Sequence, residues 1–250
     1  MENRNKIYFI SDSHLGIPGD ASSGERERMM VRWFDTIRHD AREVYLLGDI
    51  FDFWFEYRTV VPKGFVRLLG KIAEITDQGI QVHFFTGNHD LWVYSYFNEE
   101  LGVTVHHKPI FARLFDQSFH IGHGDGLGPG DRGYKIMKWF FASRICQRMF
   151  AALHPTIGTK LAWFFSGHSR KVNKKKKKEF LGLENEWLIQ YCREVLQSQH
   201  VDYFVFGHRH IPMKLEIAPA SFYVNTGDWV THFSYVVFDG NNLKMKYFKG

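Results

Sequence analysis

The chain has little cysteine and no long apolar segment. Of its 250 residues only Cys146 and Cys192 are cysteine, and they lie far apart. Structural metal sites built from cysteine need short, repeated spacings, so this pattern excludes one and predicts reduced thiols in a cytosolic protein. No apolar run reaches about 18 residues, the length of a membrane-spanning helix, and no signal peptide is visible at the charged N-terminus. The sequence therefore predicts that any membrane contact is peripheral.

Aromatic residues, in contrast, are abundant. They make up 17% of the chain and include 24 phenylalanines, while the hydrophobic fraction of 44% is ordinary. A chain of this length can form one large α/β domain or a core with an insert. The net charge of +5 and the pI near 9.1 favour anionic partners, which include nucleotides, nucleic acid and acidic lipid surfaces.

Hydrophobic periodicity predicts alternating strands and helices in the first hundred residues, and hence a layered α/β core. The predicted strands there are 7–10, 44–47 and 81–85, with helices over 25–39 and from Pro62 to Gly79. Later strands are predicted at 103–106, 110–115, 118–121 and 203–206, followed by a meander of 214–217, 221–225, 233–238 and 243–248. Helical patterns replace the strands between 131 and 199, which indicates an insert.

A polar residue of a type that binds metals follows each of five predicted strands. Ligands bind to open α/β folds at the carboxyl ends of the strands, so we expect these side chains to converge on one site. Any one of the histidines could instead be an ordinary core or surface residue, but the repeated context favours a shared site. The residues are Asp12, His14, Asp49, Asn88, His123, His208 and His210.

Asp49 is the residue around which this site is expected to form. It follows a buried strand and is flanked by Phe51, Phe53 and Trp54, so its carboxylate needs a metal or a basic partner. Carboxylate, amide and imidazole ligands without thiolate suit Mn²⁺, Fe²⁺, Zn²⁺ or Mg²⁺. The ligand set is too large for one ion. Asp49 as a bridge between two divalent ions, about 3.5–4 Å apart, would match the two-metal hydrolases of phosphate esters.

Five motifs carry a resemblance to a known family. In this order they resemble the sequence blocks of the calcineurin-like binuclear metallophosphoesterases, and the resemblance extends over nearly the whole chain. It implies an α/β fold of the four-layer αββα sandwich type, with a helical lid insert. The motifs are Asp12-Ser13-His14, Gly48-Asp49-Ile50-Phe51-Asp52, Gly87-Asn88-His89-Asp90, Gly122-His123-Gly124-Asp125 and Gly207-His208-Arg209-His210.

The resemblance also implies a role for each motif residue. One metal would be held by Asp12, His14, Asp49 and His210, and the other by Asp49, Asn88, His123 and His208. A water between the two ions would be the nucleophile. His89 would contact the reacting phosphoryl group as a catalytic residue, and Asp90 would orient His89. Asn88 and His89 would both contribute to substrate binding.

Within this superfamily the chain is most similar to the UDP-2,3-diacylglucosamine diphosphatase family of lipid A biosynthesis. Shared features are the aromatic extension through Trp54, the helical insert and a late Gly227-Asp228-Trp229. Asp131 and Tyr134 fall where that family's insert begins, which implies a role in substrate binding. The chain has His89, the ordinary superfamily residue, where the better-known branch of that family has arginine.

The insert carries most of the unexplained aromatic residues. The stretch 136–150 is apolar over more than one helical stripe and is interrupted by lysine and arginine. A helix pair packed on the core would need only one apolar face, so the pattern favours a lid that binds acyl chains, with Trp139, Phe140 and Phe141 as contacts. The run Lys174 to Lys178 is either a solvated segment or a contact to phosphate or lipid. The predicted domains are a core of 1–130 and 200–250 and an insert of 131–199.

The resulting hypothesis is an enzyme that uses two divalent ions, of the Mn²⁺ type, to hydrolyse the diphosphate of UDP-2,3-diacylglucosamine. The products would be UMP and 2,3-diacylglucosamine 1-phosphate. The implied location is cytoplasmic, peripheral on the cytoplasmic face of the inner membrane. Alternatives are a nuclease or nucleotide phosphodiesterase and a noncatalytic scaffold; nucleic acid is disfavoured because the aromatic residues concentrate in the insert.

Overall fold

The computed structural model describes residues 4–17, 21–130, 132–173 and 180–250, so Asp131 and the run 174–178 lie outside the described residues. In chain order the elements are β1 (Lys6–Ile10), α1 (Ser23–Ile37), β2 (Ala41–Leu46), α2 (Val66–Asp77), β3 (Gln81–Phe85), α3 (Tyr96–Leu101), β4 (Thr104–His106), β5 (Ile110–Leu114), β6 (Gln117–Gly122), α4 (Arg132–Ala142), α5 (Arg144–Ala151), α6 (Pro155–Asn173), α7 (Trp187–Leu196), β7 (Tyr203–Phe206), β8 (Met213–Ala218), β9 (Ser221–Asn225), β10 (Ser234–Phe238) and β11 (Leu243–Tyr247).

The strands form two sheets. The first has the order β11-β10-β1-β2-β3-β4, and the second has the order β5-β6-β7-β9-β8. Strands β1 to β4 are parallel, as are β6, β7 and β9. The predicted meander is wrong, because β10 leaves the second sheet and pairs antiparallel with β1 of the first. Each sheet thus contains parallel strands whose carboxyl ends meet at one edge.

Side-chain alternation places three apolar layers around the sheets. Ile7 and Phe9 of β1 face the space between the sheets, where they meet Phe119 and Val205 of the second sheet. The opposite face of β1 packs beneath α1 and α2. On the far side, α7 covers the second sheet. The order of layers is helix, sheet, sheet, helix, which confirms the predicted αββα sandwich.

One helix boundary and one short helix differ from the prediction made from periodicity. Helix α2 begins at Val66 rather than at Pro62, because the preceding Phe65 has a left-handed backbone with φ of 58°. The Glu27 carboxylate of α1 accepts hydrogen bonds from the backbone N–H groups of Arg67 and Leu68, and so caps the helix from another element. Helix α3 was not predicted. It has only six residues, too few for a clear period.

Helices α4, α5 and α6 pack on core residues that follow the carboxyl ends of β2 and β3. Phe141 of α4 and Phe150 of α5 pack on an aromatic cluster of Phe53, Phe55 and Trp92 from the core. Helix α7, in contrast, packs on the second sheet, although it lies within the range 131–199. Among the described ranges, no helix combines the length and hydropathy needed to cross a bilayer.

Candidate active site

The predicted metal-binding residues follow the carboxyl ends of β1, β2, β3, β6 and β7. Five of them have a left-handed backbone, with φ between 41° and 67°, a region that non-glycine residues rarely occupy. Each such residue stores strain of about 1–3 kcal/mol, and strained backbone of this kind concentrates at functional sites. The five are Asp12, His14, Asp49, His208 and His210.

The side chains meet in two adjoining groups. Ligand atoms of Asp12, His14 and His210 lie within 4.8 Å of one another, and so do those of Asp49, His123 and His208. Asp49 joins the groups, since its Oδ2 lies 3.7 Å from His14 Nε2 and 3.4 Å from His123 Nε2. Asn88 completes the second group, with its Oδ1 3.4 Å from His123 Nε2.

The two ligand carboxylates are each satisfied on one oxygen only. Asp12 Oδ2 accepts from Ser11 Oγ and from the backbone N–H of His208, and Asp49 Oδ1 accepts from the backbone N–H of His89 at 2.8 Å. Asp12 Oδ1 and Asp49 Oδ2 are buried and accept no hydrogen bond from the described residues; ring nitrogens lie near them, with His210 Nε2 3.2 Å from Asp12 Oδ1 and His123 Nε2 3.4 Å from Asp49 Oδ2. A buried anionic oxygen that accepts no hydrogen bond is costly, so these two atoms fit a role as ligands to cations.

The histidines support the same conclusion. The Nε2 atoms of His14 and His210 face each other at 3.4 Å, so two lone pairs would repel unless a proton or a cation lies between them. Burial alone would lower the pKa of His123, but the nearby Asp49 carboxylate raises it to about 10. The site therefore attracts positive charge, and carboxylate, amide and imidazole donors suit a hard or borderline divalent ion.

Three of the predicted ligand histidines have an oxygen acceptor near Nδ1, the ring nitrogen that points away from the site, and for His123 this contact is a hydrogen bond. His123 Nδ1 donates to the Leu47 carbonyl at 2.7 Å, His14 Nδ1 lies 3.6 Å from Asp52 Oδ1, and His210 Nδ1 lies 3.6 Å from Asp228 Oδ2. An acceptor at Nδ1 selects the tautomer whose Nε2 lone pair is available to a metal. The hydrogen bond therefore orients the His123 ring, whereas His14 and His210 each have a carboxylate facing Nδ1 at a longer distance.

Asp52 and Asp228 lie beside predicted metal-binding histidines, and the sequence analysis assigned neither of them to the site. Burial alone would raise the pKa of the Asp52 carboxyl, but the neighbouring imidazole rings of His14 and His89 hold the pKa well below the ordinary value. Burial alone would likewise raise the pKa of the Asp228 carboxyl, but the neighbouring His210 ring holds this pKa below the ordinary value. Both residues belong to motifs that the sequence analysis identified, so the motifs themselves pointed to these positions. The histidines that they contact, His14 and His210, lie on other segments of the chain.

Asp90 does not have the expected position relative to His89. Its carboxylate accepts hydrogen bonds from four backbone N–H groups: those of Gly87 (2.7 Å), Ile50 (2.9 Å), Asp49 (3.2 Å) and Phe51 (3.3 Å). The carboxylate beside the His89 ring is that of Asp52, with its Oδ1 3.3 Å from His89 Nδ1. Asp52, rather than Asp90, therefore has the position predicted for the residue that orients His89, and the Asp90 carboxylate links the Asp49 segment to Gly87.

The motif residue Gly87 lies too close to the Asp49 segment for any side chain to fit. A Cβ placed on Gly87 would overlap the Asp49 carboxylate and its backbone nitrogen. A side chain here would therefore displace the predicted bridging ligand. The glycine lets the segments after β2 and β3 lie against each other.

The insert reaches the site at two points. Tyr134 of α4 donates its hydroxyl proton to Asp125 and lies with its ring centroid 6.3 Å from that of His208. Lys138 Nζ, one helical turn further, is 2.6 Å from Asp125 Oδ2. From α6, Ser166 Oγ donates to the Asp52 carboxylate. Of the other predicted substrate contacts, Trp139 and Phe140 are exposed, whereas Phe141 packs against Trp92.

Comparisons with known proteins identify the family to which the chain is similar. The sequence profile of the calcineurin-like phosphoesterase family matches residues 5–212. A UDP-2,3-diacylglucosamine hydrolase of Porphyromonas gingivalis strain W83 is 39% identical over 255 residues, which cover 97% of this chain and 97% of that protein. A protein of the same name from Haemophilus influenzae strain PittGG is 26% identical over 206 residues, which cover 81% and 82%. Among solved structures, a phosphoesterase of Escherichia coli is 15% identical, with a TM-score of 0.48 over 98% of this chain and 93% of that one.

The profile match contains the five motifs whose side chains meet at the sheet edge. The first of these relatives matches the chain almost from end to end, so the insert is included in the similarity. Sequence, fold and site chemistry thus point to the same conclusion. This chain belongs to the calcineurin-like phosphoesterase family and is a metal-dependent phosphoesterase.

Proposed function

We propose that the enzyme hydrolyses the diphosphate bond of UDP-2,3-diacylglucosamine, and that the products are UMP and 2,3-diacylglucosamine 1-phosphate. The observation that carries this proposal is the end-to-end similarity, insert included, to a curated UDP-2,3-diacylglucosamine hydrolase. The convergence of two ligand groups joined by Asp49 supports a site for two ions. Mn²⁺ is the proposed metal, because the mixed carboxylate, amide and imidazole set suits it.

Asp12, His14, Asp49 and His210 would hold one cation, and Asp49, Asn88, His123 and His208 the other. Cations bound there would neutralise phosphate oxygens and lower the pKa of the attacking water. His89 lies beside this site, with its Nδ1 donating to the backbone carbonyl of Asp52 at 3.1 Å. That bond turns Nε2 outward, where it can bind the reacting phosphoryl oxygen or protonate the leaving oxygen.

The insert is proposed to bind the acyl chains of the substrate. It adjoins the site through Tyr134 near its start and through Ser166 of α6, and Asp131 precedes the first of its helices. Trp139 is 75% exposed and Phe140 is 53% exposed, so both are available to an apolar ligand. At about 0.8 kcal/mol per buried methylene, half of a long acyl chain would contribute several kcal/mol. We retain 131–199 as the insert, with α7 as its part that packs on the core.

Acyl-chain selection can be measured directly. We expect the wild type to prefer UDP-2,3-diacylglucosamine over UDP-N-acetylglucosamine by more than about 10² in kcat/KM, because several kcal/mol of apolar burial is lost with the smaller substrate. Trp139→Ala with Phe140→Ala should remove most of this preference while metal content is unchanged. Adding Phe141→Ala tests the third predicted contact.

Tyr247→Ala is the matched control for this experiment, because Tyr247 is also about half exposed but lies on the edge strand β11. It should keep the full preference. Equal kcat/KM values for the two substrates in the wild type would contradict the glycolipid proposal and favour a general phosphodiesterase.

Peripheral contact with the cytoplasmic face of the inner membrane is also proposed, through α5. Cys146 and Phe150 pack on the core cluster, whereas Ile145 and Met149 on the same helix are 73% and 67% exposed. Cationic residues in the same helix suit an acidic lipid surface. A helix with one face on the protein and an apolar pair facing outward can lie in the membrane interface.

Vesicle co-sedimentation tests the membrane proposal. Ile145→Ser with Met149→Ser should weaken binding to vesicles containing phosphatidylglycerol roughly tenfold, because apolar side chains no longer enter the lipid. Val66→Ser is the control, since Val66 is 74% exposed on α2. Unchanged binding of the double variant would refute α5 as the contact.

A further inference from the structure

The Asp52 carboxylate lies at the centre of three contacts. Its Oδ1 is 3.6 Å from Nδ1 of the metal-site residue His14 and 3.3 Å from Nδ1 of His89. The third contact comes from the insert: Ser166 Oγ donates to Oδ1 and Oδ2 at 3.1 and 3.0 Å, and lies 3.2 Å from His89 Nδ1. Asp52 is buried, so contacts with the protein replace the hydrogen bonds that water would give an exposed carboxylate.

One face of α6 brings Ser166 to Asp52. Gly158, Ala162 and Ser166 are spaced four residues apart and therefore lie on the same side of the helix. A Cβ on Gly158 would overlap the Tyr57 hydroxyl, and Ala162 packs on the aromatic cluster of the core. Small side chains at these positions let α6 approach closely enough for the Ser166 hydroxyl to reach a buried carboxylate.

We propose that Ser166 is a positioning residue that links docking of the insert to alignment of His89, with Asp52 as the intermediate. When α6 is docked, the hydroxyl holds the carboxylate in the orientation that His89 Nδ1 requires. Without this donor the carboxylate can rotate away, and Nδ1 of the His89 ring then keeps only the Asp52 backbone carbonyl as a partner in Asp52, so the direction of Nε2 toward the substrate is less well fixed. The proposal rests on the proposed phosphoryl chemistry and adds that the insert controls turnover as well as substrate binding.

The first test separates alignment from substrate binding. Ser166→Ala should lower kcat about tenfold, the effect expected from loss of a hydrogen bond to a charged group, with little change in KM or metal content. The loss should appear for UDP-2,3-diacylglucosamine and for bis(p-nitrophenyl) phosphate, which has no acyl chain. Ser166→Thr keeps the hydroxyl and should restore most of the rate.

Thr159→Ala is the matched control, because Thr159 lies on the same helix and its hydroxyl donates only within that helix, to the Pro155 carbonyl. It should leave both rates unchanged. An unchanged kcat for Ser166→Ala would overturn the proposal. So would a change confined to KM for the glycolipid, because that result makes Ser166 only a substrate contact.

The second test uses the metal-free protein. Hydrogen exchange in α6 should be faster in Ser166→Ala and in Asp52→Asn than in the wild type, and the double variant should add little to either. Equal exchange in all proteins would contradict the link. If wild type cleaves bis(p-nitrophenyl) phosphate but not the glycolipid, the proposed substrate fails, whereas the kcat loss of Ser166→Ala on the small diester still supports the alignment role.

Discussion

Asp49→Asn is expected to lower phosphodiester hydrolysis by more than about 10³-fold and to impair occupancy of both metal positions. Removal of a single preorganised charge-stabilising group from an active site already costs about 10²–10³, and Asp49 would serve two cations. Its Oδ2 is the buried oxygen between His14 and His123. Asparagine can keep the hydrogen bond from the His89 backbone, but it then directs an uncharged amide NH₂ into the site.

Asparagine is also compatible with the backbone conformation of Asp49. Asp49 has a φ of 52°, and asparagine tolerates the left-handed region better than most residues. Loss of activity in Asp49→Asn would therefore report on the lost charge. Elemental analysis of the purified variant measures metal content beside turnover. Asp77→Asn, at an exposed aspartate that ends α2, should change neither. Two equivalents of metal with near-normal turnover in Asp49→Asn would refute the bridging assignment.

His89→Ala is expected to lower kcat by roughly 10²–10⁴ with metal content intact, the range typical for loss of a general acid or base. The ring is held by Asp52 and Ser166 through Nδ1, and its backbone N–H donates to Asp49 Oδ1. The alanine variant keeps the backbone bond to the predicted bridging ligand, so the metal site should survive. The loss should therefore appear in turnover.

The control for His89 is another partly buried histidine outside the site. His106 lies on β4, and His106→Ala should leave turnover within a few-fold of the wild type. Loss of metal in His89→Ala would make His89 a metal ligand, consistent with its proximity to His14 and Asp49. Unchanged turnover would leave it without a role in the chemistry.

The local hydrophobic pattern was sufficient to predict the strands that carry the candidate site. The ranges predicted for β3, β7 and β9 are those observed, and each predicted metal-binding residue follows a strand within a few positions. The reason is physical: burial on both faces produces apolar runs, and a turn at the end of such a run exposes a polar side chain at the sheet edge. The αββα layering followed from the family resemblance and is confirmed.

The same local pattern does not show which strands pair when they are far apart in the sequence. A strand such as β10 has similar alternation whether it pairs within the second sheet or with β1, so the choice between sheets depends on packing of the whole chain. The same holds for α2, whose start is capped by Glu27 from another helix. These differences come from partners that are distant in sequence.

The sequence by itself determined the ligand types, their place after strands and hence the class of chemistry, because these properties depend on residue identity and local periodicity. Only the tertiary structure decided which side chains support the ligands. Asp52 rather than Asp90 lies beside His89, Asp228 supports His210, and Ser166 reaches Asp52 from α6. A hydrogen bond depends on where two atoms lie to within a few tenths of an ångström, and for segments far apart in sequence the packed fold alone sets that distance.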